Sequence, residues 1–255
     1  MSRPIELGPF VLLDPIGSGA MGTVYHAIHP DSGARVAVKV LRPEAAADEL
    51  ALDNLEGEVR AVALLDHPHI VRIYDVGKIT AEEAERAPHA LVAGTPWFAM
   101  EVAEHGSLQR RLRSLDGNDL FELLEHLLSA LAHAHARGIL HLDLKPANVM
   151  FGGRTQGALL TDFGMGVVGD PDPTGDFVRG TPHFMAPELV RGRWEELGPW
   201  TDLYALGCLA YSLAAGHRPF RGKRWVRLYN AHLHEEPPPL QPLFPMPDGF
   251  EDWLR

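Results

Sequence analysis

Several things are scarce in this chain, and each shortage narrows the choice. There is one cysteine, Cys208, in 255 residues. No disulfide can close within the chain, which fits a reducing compartment, and a cytoplasmic location is the expectation. Cys208 lies in an apolar run and reads as a small buried hydrophobe. Positive charge is short as well, with 23 Lys and Arg against 34 Asp and Glu, a net charge of -11. That balance argues against a nucleic-acid backbone as the partner. The densest basic cluster, Arg218, Arg221, Lys223, Arg224 and Arg227, reads as a solvated helix face rather than an anionic docking patch. Long apolar runs are absent: the longest apolar helix, about Leu203 to Ala215, falls short of the roughly 20 residues that a bilayer requires. The opening Met1-Ser2-Arg3-Pro4-Ile5-Glu6 lacks the apolar core of a signal peptide. There are no internal repeats and no low-complexity tracts. His126, His133, His135 and His141 invite a metal, but His133 and His135 are two apart and point to different helix faces, and no cysteine cluster joins them.

What remains is a globular composition, 45% hydrophobic and 22% charged, long enough for one large domain or two lobes. The chain is organised around His141-Leu142-Asp143-Leu144-Lys145-Pro146-Ala147-Asn148. A carboxylate, an ammonium and an amide stand within this one segment. Moving a phosphoryl group onto a hydroxyl needs all three: a group to orient or accept the proton, a cation against the phosphate, and an oxygen for Mg²⁺. Asp162-Phe163-Gly164 follows and adds a second carboxylate suited to metal.

Upstream, Phe10 to Leu13 and Thr23 to Ile28 read as strands. Between them lies Ile16-Gly17-Ser18-Gly19-Ala20-Met21-Gly22-Thr23-Val24. GxGxxG alone is a weak signal, shared by a dinucleotide-binding turn and a phosphate-covering hairpin. The first must run from strand into helix, whereas here the glycines join two strands, which favours the hairpin. After a turn at Asp31-Ser32-Gly33 comes a third strand, Arg35 to Val40. Its alternation sets Ala37 and Lys39 on one face and Val36, Val38 and Val40 on the other. A lysine in so apolar a strand is costly unless its charge is paired.

Further on, Ala45 to Leu65 has helical spacing in Leu52, Leu55, Val59, Val62 and Leu65, with Gly57 as a weak point. Ile70 to Gly77 and Trp97 to Ala103 read as strands. Lys78 to Pro96 between them reads as a surface excursion, with Thr80, Glu82 and Glu83 able to cap a short helix. A short helix over Ser107 to Leu115 and a longer one from Leu120 to Arg137, closed by Gly138, lead to the central segment. Thr201-Asp202 opens an apolar helix to Ala215. Another helix spans Lys223 to Glu235, and Pro237 to Pro247 reads as a structured loop.

In this order and spacing, with Ala186-Pro187-Glu188 added, the motifs resemble those of eukaryotic-type serine/threonine protein kinases, in a bacterial member. The resemblance covers Phe10 to Arg255. It implies an α+β, two-lobed fold: an N-lobe of about 10–102 with an antiparallel sheet and one regulatory helix, and a mainly helical C-lobe of about 103–255. It implies ATP with Mg²⁺, or Mn²⁺ in its place, and protein substrates bearing Ser or Thr, the chain itself among them. By this resemblance Asp143 is the base or hydroxyl-orienting residue and Lys145 contacts the γ-phosphate. Asn148 and Asp162 hold the metal. Lys39 holds the α- and β-phosphates and pairs with Glu58, with Glu56 as the rival. Residues 16–24 cover the phosphates. The backbone of Glu101 and Ala103 meets adenine, Met100 controls the pocket behind it, and Val24, Ala37 and Met150 sandwich the ring. His141 and Phe163 join an internal stack with Val62 and Ile73, and Asp202 anchors the catalytic loop.

Two departures from the family matter. Leu142 stands where the family has an arginine that pairs with a phosphate on the activation segment, and leucine supplies no charge for it. Only Thr174 and Thr181 offer hydroxyls in that segment, and Thr174 sits among Asp170, Asp172 and Asp176. Little dependence on phosphorylation is therefore expected. The chain also stops where the family continues with more helices and an arginine for Glu188, so a fragment of a longer, multidomain protein is expected. A pseudokinase or nucleotide-binding scaffold is the alternative to an active kinase.

Overall fold

β-Branched and aromatic residues mark the segments Phe10 to Leu13, Thr23 to Ile28 and Arg35 to Val40, and these build an antiparallel sheet. The structure, a computed structural model, describes residues 5–19, 22–42, 62–112, 115–163, 182–222 and 224–254. The chain divides into two units, Met1–Asp66 with Val71–Val102, and His67–Ile70 with Ala103–Arg255.

The first unit holds six strands: β1 (Ile5–Leu7), β2 (Phe10–Gly19), β3 (Gly22–Ile28), β4 (Arg35–Leu41), β5 (Ile73–Lys78) and β6 (Pro96–Met100). Their order is β1-β2-β3-β4-β6-β5, and every pairing is antiparallel. One face is apolar. Val36, Val38 and Val40 of β4 meet Phe10, Leu12, Ala27, Trp97 and Ala99 there.

The stretch between β5 and β6 runs mostly over the surface, as its mixed composition suggests, but it is anchored inward at a few positions. Ile79 and Leu91 are each 2% exposed and belong to the same apolar cluster. Burying each contributes about 1.5–3 kcal/mol. Between them runs α1 (Ala81–Arg86), capped reciprocally by Thr80 and Glu83. Glu83 also accepts from the Gly8 amide at 2.8 Å, and Arg86 pairs with Glu6 at 2.9 Å. Burial alone would raise the Glu83 pKa, but the bonds from Thr80 and Gly8 outweigh it and hold the carboxyl below its ordinary value. The segment is thus stitched to β1 and closes the core.

In the second unit, α2 (Gly117–His135) starts from a capping box between Asp116 and Asp119. It buries Leu120, Leu123, Leu124, Leu127, Leu131 and Ala134 at helical spacing, and Gly138 follows with φ +72°. The hairpin β7 (Val149–Phe151) and β8 (Ala158–Leu160) comes next. Then come α3 (Pro187–Val190), α4 (Pro199–Ala215), α5 (Trp225–His234) and α6 (Phe250–Leu254). α4 is apolar almost all round and buries Leu206, Cys208, Leu209, Ala210 and Leu213. Burial pushes the Cys208 thiol up to about 12, so it is an inert packing group.

Residues 67–70 belong to this second unit for a physical reason. His67 bonds Ser129 at 3.0 Å, His69 stacks on His126 at 3.7 Å, and Ile70 bridges Leu160. Burial, helped by the neighbouring imidazoles, lowers the pKa of His67 and of His126. The strand expected from Ile70 therefore begins at Ile73. The helix expected over Ser107 to Leu115 shrinks to a 3₁₀ turn at Leu108–Arg110, with 113–114 outside the described residues. The expected Ala45 to Leu65 helix lies outside the described residues up to position 61. No helix among the described residues is long and apolar enough to cross a membrane.

Candidate active site

Cross-strand partners in a sheet share a face, so register alone places the first set of residues. Gly17 lies opposite Val24, Val24 opposite Lys39, and Lys39 opposite Phe98. The next row is His26, Ala37 and Met100. These rows occupy the face away from the apolar core. Lys39 is 6% exposed, with its Nζ 5.8 Å from the Phe98 ring centre.

The glycines sit in an antiparallel hairpin, not in a strand-to-helix turn, and they differ among themselves. At Gly22, with φ +155°, an added Cβ would lie 2.2 Å from the Val40 carbonyl oxygen, so the packing of β3 on β4 requires glycine. At Gly17 and Gly19 an added Cβ meets nothing within 4 Å. No contact among the described residues explains those two; glycine there would suit the close approach of a ligand to the backbone. Ser18 and Thr23 face each other across the hairpin, hydroxyls 3.2 Å apart. Ile16 is exposed at its base. Ala20 and Met21, and with them Glu56 and Glu58, lie outside the described residues. At the end of this unit the Glu101 amide donates to Arg72 O at 2.9 Å. Val62 and Ile73 are also in this unit.

The second set is in the second unit and is wired throughout. The Asp202 carboxylate, 1% exposed near the start of α4, accepts from the amides of His141 (2.8 Å) and Leu142 (2.7 Å) and from His135 Nε2 (2.7 Å). Burial would raise its pKa, but the bond from His135 and those from the loop hold it below the ordinary carboxylate range. Leu142 has φ +61°, a conformation that costs a side-chain-bearing residue about 1–2 kcal/mol, and its bond to Asp202 fixes it there. His141 Nδ1 accepts from the Asp143 amide at 3.2 Å, so the ring hydrogen is on Nε2, which donates to Thr161 O at 2.9 Å. Its ring lies 4.7 Å from that of Phe163.

Asp143 is 7% exposed, and its Oδ2 accepts from Lys145 Nζ at 2.5 Å and from Asn148 Nδ2 at 3.1 Å. Asn148 Nδ2 also donates to the Asp143 carbonyl at 2.9 Å. With that nitrogen committed, the free end of the amide is Oδ1. The Thr161 amide bonds Asn148 O at 3.0 Å, and Asp162 follows with φ +63°. Among the described residues no group of three or more His, Cys, Asp or Glu is arranged to hold a metal. An amide oxygen and one carboxylate nevertheless fit Mg²⁺, which keeps several waters and takes substrate phosphates as its other ligands. Met150 lies in β7 and bridges Ser107, and Ala103 opens the longer stretch of the unit, Ala103–Arg255. Glu188 Oε1 accepts from Thr201 Oγ1 at 2.6 Å. Gly164, Thr174 and Thr181 lie outside the described residues.

Sequence reasoning missed His135 and Thr201. His135 entered only as a possible metal ligand, yet it serves a buried carboxylate. The available signal was a buried Asp202 that must find donors.

The protein kinase domain family matches residues 10–246. The serine/threonine-protein kinase PknA of Mycobacterium tuberculosis is 34% identical over 244 residues, which cover 93% of this chain and 54% of that protein. The serine/threonine-protein kinase Pkn1 of Myxococcus xanthus is 34% identical over 253 residues, covering 94% of this chain and 34% of that protein. A probable serine/threonine-protein kinase PknB of Bifidobacterium longum is 32% identical over 244 residues, covering 92% and 34%. The chain thus spans about half the length of the mycobacterial relative or less of the others.

Proposed function

Because the chain belongs to the protein kinase domain family, we propose that it transfers the γ-phosphate of ATP to serine or threonine hydroxyls of proteins. The observation that carries this reading is the Asp143 carboxylate, fixed by Lys145 and Asn148 on a loop clamped by Asp202. One carboxylate oxygen is held, so the other is left for a substrate hydroxyl. The hydroxyl oxygen bonds to Pγ, the bond from Pγ to the β,γ-bridging oxygen breaks, ADP leaves, and Asp143 takes the hydroxyl proton. Lys145 then exchanges part of its bond to Asp143 for the γ-phosphate. Asn148 Oδ1 and Asp162 would hold Mg²⁺, which when bound would neutralise charge on the phosphates. Lys39 holds the α- and β-phosphates, and the backbone of residues 16–24 covers them. The Glu101 carbonyl and the Ala103 backbone receive adenine, with Val24, Ala37 and Met150 about the ring and Met100 behind it. Leu142 offers no cation to an activation-segment phosphate, so transfer does not depend on that modification through this position.

The test is phosphate transfer from labelled ATP with Mg²⁺, to the chain itself and to a generic basic protein. Asp143→Asn should lower transfer by about 10³-fold or more while ATP binding, read by thermal shift, is kept. Bound ATP with no transfer by the wild-type chain would replace this reading with a nucleotide-binding scaffold.

A further inference from the structure

The arm of β2 that enters the glycine hairpin has little packed against it. Every residue from Leu13 to Gly19 is exposed, and the pairing with β3 slips between Leu12 and Pro15 and again between Pro15 and Gly17. Open space surrounds the Cβ positions of Gly17 and Gly19, so side-chain packing does not fix the backbone there. Among the described residues, two side-chain contacts reach the end of this arm. Ser18 and Thr23 meet across the hairpin. The other contact comes from outside it: Arg42 Nε donates to the Gly19 carbonyl at 3.0 Å.

Register explains how a residue just past β4 reaches β2 although β3 runs between them. Gly22 is the first residue of β3 and lies opposite Gly19 on one side and Leu41 on the other. Arg42 is one step beyond Leu41, where β3 has ended, so its side chain rounds the end of β3. The bare Gly22 brings the strands close at this point, since an added Cβ would lie 2.9 Å from Leu41 Cα. Two cations three positions apart are thus placed differently. Lys39 is buried on the face away from the apolar core, whereas Arg42 is exposed at the rim and bonded to backbone.

Glycine loses more freedom on ordering than any other residue, so a glycine-rich arm is costly to fix around a ligand. A bond to the Gly19 carbonyl restrains that arm in advance. Resting on the kinase reading above, we infer that Arg42 is a positioning residue that latches the glycine hairpin through Gly19, ordering it for the phosphates of ATP before nucleotide arrives. Arg42 acts through the hairpin and not on the reacting atoms. Its loss acts on ATP and not on the protein substrate.

Three variants separate the bond from the charge. Counted from Cβ, glutamine carries its Nε2 where arginine carries Nε, so Arg42→Gln keeps a donor in place and drops the charge. Arg42→Lys keeps the charge and puts a methylene at that position. Arg42→Met puts a methyl there and keeps neither. With Mg²⁺, labelled ATP and a generic basic protein, KM for ATP should rise roughly 3–10-fold in Arg42→Met, with KM for the protein changed less than about twofold. Arg42→Gln should recover most of the loss, and Arg42→Lys less of it. Amide exchange across residues 17–24 of the nucleotide-free protein should quicken in Arg42→Met and return toward wild-type in Arg42→Gln. A wild-type KM for ATP in Arg42→Met overturns the proposal. So does an equal loss in kcat and both KM values. Recovery by Arg42→Lys but not by Arg42→Gln overturns it too, because the cation would then act on the phosphates directly. If the wild-type chain transfers no phosphate, the kinase reading fails by itself. The exchange measurement then still decides the latch: faster exchange in Arg42→Met that Arg42→Gln restores supports it, and unchanged exchange overturns it.

Discussion

The two sets of candidate residues are built in opposite ways. In the first unit Gly17, Gly19, Lys39 and Met100 are placed by strand register on the face that the core does not use, and the Cβ positions of Gly17 and Gly19 answer to no contact among the described residues. In the second unit Asp143, Asn148, His141 and Asp202 are hydrogen-bonded to one another or to the backbone beside them. On the proposed function, the difference separates residues that would receive a ligand from residues that hold one another still. A preorganised set loses activity when its internal bonds are cut, whereas a receiving set tolerates change until ligand arrives.

Breaking the wired set should have the larger effect. Asp202→Ala leaves two loop amides and His135 without their acceptor in a buried place. A loss of about 3 kcal/mol or more in urea unfolding is expected, with a large fall in transfer. A variant as stable as wild-type would mean that the loop holds its shape without the clamp. The receiving set sharpens the comparison at smaller magnitude. Gly22→Ala should cost about 2 kcal/mol, because its Cβ meets backbone and its φ is strained. Gly19→Ala should stay within about 0.5 kcal/mol of wild-type while raising KM for ATP. Equal destabilisation by the two would erase the distinction drawn between these glycines.

The smallest expected effect is on pH dependence. Burial lowers the folded pKa of His232, on α5, to about 4 from an ordinary 6.5, so the unfolded chain binds the extra proton first as pH falls. Its contribution to stability is complete above about pH 6.5 and is lost progressively toward pH 4. Tyr204 and Cys208 on α4 remain protonated through that window, while His183 nearby is itself lowered by burial and by Arg218. His67 and His126 act in the same direction. Midpoints of denaturation at pH 7.5 and 5 should therefore differ less in His232→Gln than in wild-type. An unchanged difference would remove His232 from the balance.

The strands and the family were legible because each rests on short-range pattern: alternation in Val36 to Val40, spacing from His141 to Asp162. The antiparallel sheet and the helices after it follow the α+β kinase architecture that those motifs imply. What escaped depends on pairs far apart in the chain. Thr201 finds Glu188, His135 finds Asp202, and Tyr204 finds His232 only once α4 has packed. Nothing in the one-dimensional pattern tells a buried donor from a solvated one. The burial of Ile79 and Leu91 escaped for a similar reason, since single apolar residues in a polar stretch show no period.

That stretch constrains how this lobe can diverge. Ile79 and Leu91 share one apolar cluster with Leu7, Phe10 and Trp97, and Glu83 is bonded to Gly8. A lineage that shortens the segment must at the same time refill the space beside Trp97 and find another acceptor for the Gly8 amide. Exchange of the segment between relatives, by recombination or by design, is therefore expected to succeed only as a cassette that carries β1 and β6 with it.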